Sequence, residues 1–144
     1  MNTVNQAPET ISSIYGIVSK IQNKSVDAEL IIDATRRLIS EVNGAIKAWH
    51  TLNWDEVNKQ LDSLVSRQDW RSLPLAAVPI AVKDVYDTAD FVTTYGSSIY
   101  ENHRPATDAK LVAILKSLGA IVVGKTVTTE FAYWQPGPTV NPHN

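Results

Sequence analysis

Few residues in this 144-residue chain have the type and setting for chemistry, and Lys83 stands out among them. It ends the run Val78-Pro79-Ile80-Ala81-Val82-Lys83 and is followed at once by Asp84. Short stretches of β-branched and small apolar residues with a proline at the entrance read as buried strands, since such a proline costs no ladder bond. Alternation sends Ile80 and Val82 to one face and Ala81 and Lys83 to the other. The lysine must therefore escape to water at the strand end, pair with Asp84, or enter a polar pocket. In a pocket, desolvation would push its pKa down from the usual value of about 10.4 towards neutrality. Such an amine can act as a base that takes a proton from a serine.

The other reactive types are weaker. His50, His103 and His143 are far apart and have no second ligand at metal-binding spacing, so a metal site is not expected. Ser97 and Ser98 lie beside Gly96, and hydroxyls in a glycine loop are turn formers before they are nucleophiles. The string Gly119-Ala120-Ile121-Val122-Val123-Gly124-Lys125-Thr126 matches a phosphate-loop pattern letter by letter. It follows a helical pattern and its variable positions are strand formers, so a strand is expected and nucleotide binding is kept only as a testable third reading.

The elements that must position these residues follow from periodicity. Met1 to Glu9 reads as a loose start, and Ile11, Ile14, Ile17, Val18 and Ile21 as a short amphipathic helix. Ser25 is the expected N-cap of the next helix, with Leu30, Ile31, Ala34, Leu38 and Val42 buried and Asn43-Gly44 closing it. Ile46 to Leu52 is either a strand or an extended connection. Asp55 to Asp69 reads as a third helix with Val57, Leu61, Leu64 and Val65 on its stripe, and Trp49, Trp54 and Trp70 as apolar plugs at its ends. Pro105 to Thr107 should open a fourth helix with Asp108 in its first turn. Leu111, Val112, Leu115 and Leu118 should be buried, with Gly119 as terminator. Ala120 to Val123 is the second strand, parallel to the first through a crossover. Tyr133 and Trp134 are expected in the core, with a pocket wall as the alternative.

Composition narrows the class. Apolar residues make up 44% of the chain and the formal net charge is −2, which suits a core-forming domain and gives no field for nucleic acid or an anionic membrane. Cysteine is absent, which excludes thiol chemistry and fits a cytoplasmic setting. No export signal or membrane span is legible.

Leu75 to Asp84, Thr93-Thr94-Tyr95-Gly96-Ser97, the helix near Asp108, Gly119 to Thr126, Glu130-Phe131-Ala132 and Asn141-Pro142 together resemble the N-terminal part of amidase-signature enzymes. The resemblance implies an α/β fold with N-terminal helices packed on part of a mixed sheet. Residues 1–144 would be the first portion of a single amidase domain, helical over about 1–72 and strand-helix-strand over 73–144. It also implies hydrolysis of a small carboxylic amide by a Ser, cis-Ser, Lys triad without a cofactor, with Lys83 as the catalytic lysine. The family's two serines lie in a Gly/Ser-rich segment past the position of Asn141-Pro142, so this chain alone is expected to be inactive and, with unpaired strand edges, poorly soluble or oligomeric. The alternative is a non-catalytic module that binds a separate C-terminal half. Ala77 and Asp90 stand where the family has glycine, which implies altered turns.

Overall fold

The computed structural model describes residues 13–143. The expected loose start and Ile11 lie outside the described residues. The chain runs α1 (Ile14–Gln22), α2 (Ala28–Ile46), β1 (Trp49–Leu52), α3 (Trp54–Val65), β2 (Pro79–Lys83), α4 (Lys110–Ser117) and β3 (Ile121–Thr126), with short 3-10 turns between. The strands form one mixed sheet in the order β1-β3-β2. β2 and β3 are parallel and β1 is antiparallel to β3. The α/β architecture therefore stands as expected, with helices against a mixed sheet.

Local chemistry explains each boundary. Ser13 caps α1 through Gly16 N–H, and Asn53 caps α3 by accepting from Asp55 and Glu56 N–H. α2 begins later than expected. Its cap position is Asp27, while the Ser25 hydroxyl turns back to the Lys20 carbonyl and closes α1 instead. Gly44 does not end α2, which continues to Ile46 and stops where Lys47 takes the left-handed conformation at φ 55°. Asn43 still closes the helix, but by its side chain, whose Oδ1 accepts from the N–H groups of Ala48 and Trp49. Asp108 precedes α4 rather than entering its first turn, and accepts from Ala89 N–H while pairing with Lys116. Gly119 terminates that helix with φ 99°, as a residue without Cβ can.

One continuous cluster under the sheet joins Ile17 and Ile21 of α1, Ile31 and Ile32 of α2, Val57, Leu61 and Leu64 of α3, and Val82, Val112, Ile121 and Val122. Each such side chain contributes roughly 1.5–3 kcal/mol by leaving water. The buried stripe of α2 is rotated from the expected one: Ile32 and Ile39 are inside, whereas Leu30, Leu38 and Val42 are exposed. The helix carries apolar residues round more than half its girth, so periodicity alone could not choose between two overlapping faces. In α4 only Val112 is fully buried and Leu111 is exposed. Trp54 and Trp70 pack on the cluster as plugs, under Arg36 and Arg71 respectively. Tyr133 and Trp134 correct the reading of a core role, being 85% and 80% exposed.

The phosphate-loop string is strand β3 and its preceding turn. Gly124 serves packing there, since a Cβ on it would lie 2.3 Å from the Thr51 carbonyl oxygen of β1. Beyond the end of β1, Gln60 of α3 takes over as neighbour to β3, donating to the Val122 carbonyl and accepting from its N–H, both at 3.0 Å. Ala77, where the family resemblance led one to expect glycine, adopts φ 55°, a conformation costly for a residue with Cβ. Asp90, at the other such position, does not have positive φ and pairs with Lys116. Gly124→Ala should force β1 away from β3 and lower stability by about 1–3 kcal/mol, measured by urea unfolding. An unchanged midpoint would mean that β1 is not held against β3 as described.

Candidate functional site

The C-terminal ends of β2 and β3 carry the polar residues that matter, and they divide two lysines between opposite environments. Lys83 lies at the last position of β2, on the same exposed side as Ala81, while Val82 between them is buried. The expected alternation holds. The expected shelter does not: Lys83 is exposed, and its amine has no hydrogen-bond or ion-pair partner among the described residues.

Lys125, opposite Val82 in the parallel register, is the buried amine. Its residue is 0% exposed. The ammonium lies 3.1 Å from Asp84 Oδ1, 2.8 Å from the Tyr86 carbonyl oxygen and 2.5 Å from Thr93 Oγ1. Two of these groups accept hydrogen bonds and the third is the counter-ion. Burial pushes the Lys125 pKa below its ordinary value, and the Asp84 carboxylate opposes that fall. The contact with Asp84 Oδ1 is close but not aligned as a hydrogen bond, so its attraction is chiefly Coulombic.

Asp84 is 1% exposed and is held from every side. Its Oδ2 accepts from both the N–H (3.0 Å) and the hydroxyl (2.5 Å) of Thr94, and its own N–H donates to the Thr126 carbonyl. His50, half-exposed on β1, reaches Thr94 Oγ1 at 3.3 Å and stands 3.8 Å from Asp84 Oδ2. The residue following Lys83 is therefore fixed to β3 and to the loop at Thr93 and Thr94. Lys83 itself is tied down through its carbonyl, which accepts from Tyr86 N–H.

That loop is braced further out. Tyr95, at φ 54°, donates its hydroxyl to Asp87, which together with burial pushes the phenol pKa up to about 12. Its ring meets Tyr100 edge-on and stacks on His103. Ser97 caps a 3-10 turn by accepting from Ile99 N–H, in keeping with its reading as a turn former. Lys116 bridges Asp90 and Asp108; burial alone would lower its pKa, but the two carboxylates outweigh it and the pKa is raised.

Beside Asp84 the strand ends open onto a cavity of about 330 Å³ lined by His50, Thr94, Ser97, Glu101 and Thr128, with Pro136–Pro138 across from them. Among the described residues no His, Asp or Glu group is arranged to hold a metal ion, and no helix is long and apolar enough to cross a membrane. Sequence reasoning singled out Lys83 and passed over Lys125. The available signal was a lysine in the middle of an otherwise apolar strand, the string Ile121 to Thr126, where an amine has to find partners inside.

Lys125→Met should lower stability by about 3–5 kcal/mol, because Asp84 would remain buried without its counter-ion. Asp84→Asn combined with Lys125→Met should cost clearly less than the two single changes added together. Additive losses in thermal or urea unfolding would contradict the pairing.

A family profile described as Amidase matches residues 30–144. A glutamyl-tRNA(Gln) amidotransferase chain of Halothermothrix orenii is 36% identical over 138 residues, covering 92% of this chain and 28% of its own length. The solved structure of a vestigial protein complex, described as revealing the origins of an s-triazine catabolic enzyme, superposes with a TM-score of 0.82 at 29% identity, over 92% of this chain and 31% of that one. Peptide amidase from Stenotrophomonas maltophilia superposes with a TM-score of 0.79 at 25% identity, over 93% and 28%. This chain thus spans under a third of the length of these proteins, in the portion that carries the strands and loops described above. With a profile match over most of its residues and relatives of this closeness, the chain belongs to the amidase family.

Proposed function

We propose that the chain is the lysine-bearing portion of a hydrolase of carbon–nitrogen amide bonds, with Lys83 as the base. The observation that carries this reading is the anchoring of the Lys83 end of β2. The residue after it is locked by Lys125, Thr94 and Thr126, while the exposed Lys83 amine has no partner among the described residues.

In this reading the nucleophile and the bridging serine come from residues outside this sequence, in the same polypeptide or in a separate one. Those residues would also shield the Lys83 amine. Neutral Lys83 takes a proton through the bridging serine as the nucleophilic serine attacks the amide carbonyl, and backbone N–H groups hold the oxyanion. The nitrogen leaves with a proton as ammonia or an amine, and water then cleaves the acyl-serine ester to release the carboxylic acid and restore the hydroxyl. The substrate is a small amide, no cofactor takes part, and the setting is cytoplasmic. A second reading, a non-catalytic module that pairs with a separate C-terminal half, is favoured by the same exposure of Lys83.

A chimera separates them. This chain replaces the matching 138 residues of the Halothermothrix orenii protein, and folding is verified by a cooperative thermal transition. The chain alone should resist a serine-directed fluorophosphonate, whereas the chimera should be labelled and release ammonia from small amides. Lys83→Ala in the chimera should lower that rate by roughly 10²–10⁴-fold with the transition unchanged. A folded chimera in which Lys83→Ala keeps the parent rate would end the assignment.

A further inference from the structure

We infer that His50 is a positioning residue of the strand-end site: a bulge in β1 aims its imidazole at Thr94, Nε2 carries the proton, and that donor holds the loop from Thr94 to Ser97 in place. Two separate observations carry this. Trp49 and Thr51 lie opposite Thr126 and Lys125, which are consecutive in β3, so His50 is the extra residue of the ladder. Bulges of this kind re-aim a side chain and recur beside functional sites. The chain just before it is fixed, since Asn43 Oδ1 accepts from the Ala48 and Trp49 N–H groups and the Ala48 carbonyl accepts from Val127 N–H.

The second observation is the accounting at the Thr94 hydroxyl, which has one proton and two lone pairs. The proton goes to Asp84 Oδ2 at 2.5 Å, and one lone pair accepts from Gly96 N–H at 3.1 Å. The other lone pair meets His50 Nε2 at 3.3 Å, and Asp84 Oδ2 is 3.8 Å from the same nitrogen. A bare Nε2 would set its own lone pair against that of Thr94 and against a carboxylate. The ring therefore donates from Nε2, and Nδ1, which has no partner among the described residues, keeps the lone pair of the neutral imidazole. The hydroxyl is saturated, and the chain His50–Thr94–Asp84–Lys125 runs from β1 across the loop to β3. His50 thus acts through Thr94 and not on a reacting atom. Its effect on turnover rests on the hydrolase reading above; the tautomer and the hold on the loop do not.

The test has three readouts. In this chain labelled with nitrogen-15, at a pH where the ring is neutral, long-range correlations of the His50 imidazole should show a protonated Nε2 and a bare Nδ1. The tautomer is read on the unaltered chain, so it needs no variant to fold. His50→Gln keeps an N–H donor near the place of Nε2 and discards Nδ1, whereas His50→Phe keeps the ring and discards both nitrogens. Hydrogen exchange of the Thr94 and Gly96 amides should quicken roughly two- to tenfold in His50→Phe and return most of the way in His50→Gln. In the chimera, His50→Phe should slow amide hydrolysis roughly tenfold or more, with His50→Gln recovering most of the loss. A neutral ring protonated at Nδ1, or exchange that is the same in the Phe and Gln variants, overturns the hold on Thr94. Rescue of exchange without rescue of turnover overturns the action through Thr94. A chimera that keeps its rate in Lys83→Ala ends the hydrolase reading alone, and the tautomer and exchange still decide the role of His50.

Discussion

A single buried ion pair, Lys125 with Asp84, governs how this chain presents its chemistry. Two charges at 0% and 1% exposure would each cost several kcal/mol alone, and together they are tolerated because they neutralise each other while Tyr86 and Thr93 accept from the ammonium and Thr94 donates to Asp84 Oδ2. The pair joins the end of β3 to the first residue after β2 and to the loop at Thr93 and Thr94. Everything at the strand ends takes its position from that junction: the turn at Lys83–Tyr86, the wall of the cavity, and His50 reaching over from β1. Replacing the pair with apolar residues could keep the core while losing the one arrangement that leaves Lys83 free.

The two lysines show how strand geometry sorts identical side chains. Lys83 and Lys125 are neighbours across a parallel ladder, one position out of step in register, and alternation turns one outward and the other inward. The outward amine keeps its donors. The inward one spends two on Tyr86 and Thr93 and faces Asp84 as its counter-ion. The outward amine is solvated, whereas the inward one is committed to Asp84, Tyr86 and Thr93 and has its pKa lowered by burial.

Much of the fold was legible from residue patterns, because the helices and the β2–α4–β3 crossover are encoded by local periodicity and by Gly119. The face of α2 was not, since Leu30 and Leu38 compete with Ile32 and Ile39 on a helix apolar round more than half its girth and only the neighbours decide. Cap positions shifted where a side chain had two uses: Ser25 closes α1 and Asp108 serves Ala89 and Lys116. Lys83 was singled out through its strand pattern, and Lys125 was lost inside a string that looks like a phosphate loop. The burial of Lys125 depends on Asp84 and Thr93, 41 and 32 residues away in sequence by their numbering, which no local pattern reveals.

The most direct measurement is the hydrogen exchange of the lysine ammonium groups, followed by nitrogen-15 spectroscopy near neutral pH. A sealed Lys125 should give a slowly exchanging Nζ signal that vanishes in Lys125→Met, while Lys83 exchanges too fast to be seen. A Lys125 ammonium that exchanges as quickly as that of Lys83 would contradict the buried pair and, with it, the anchoring of the site.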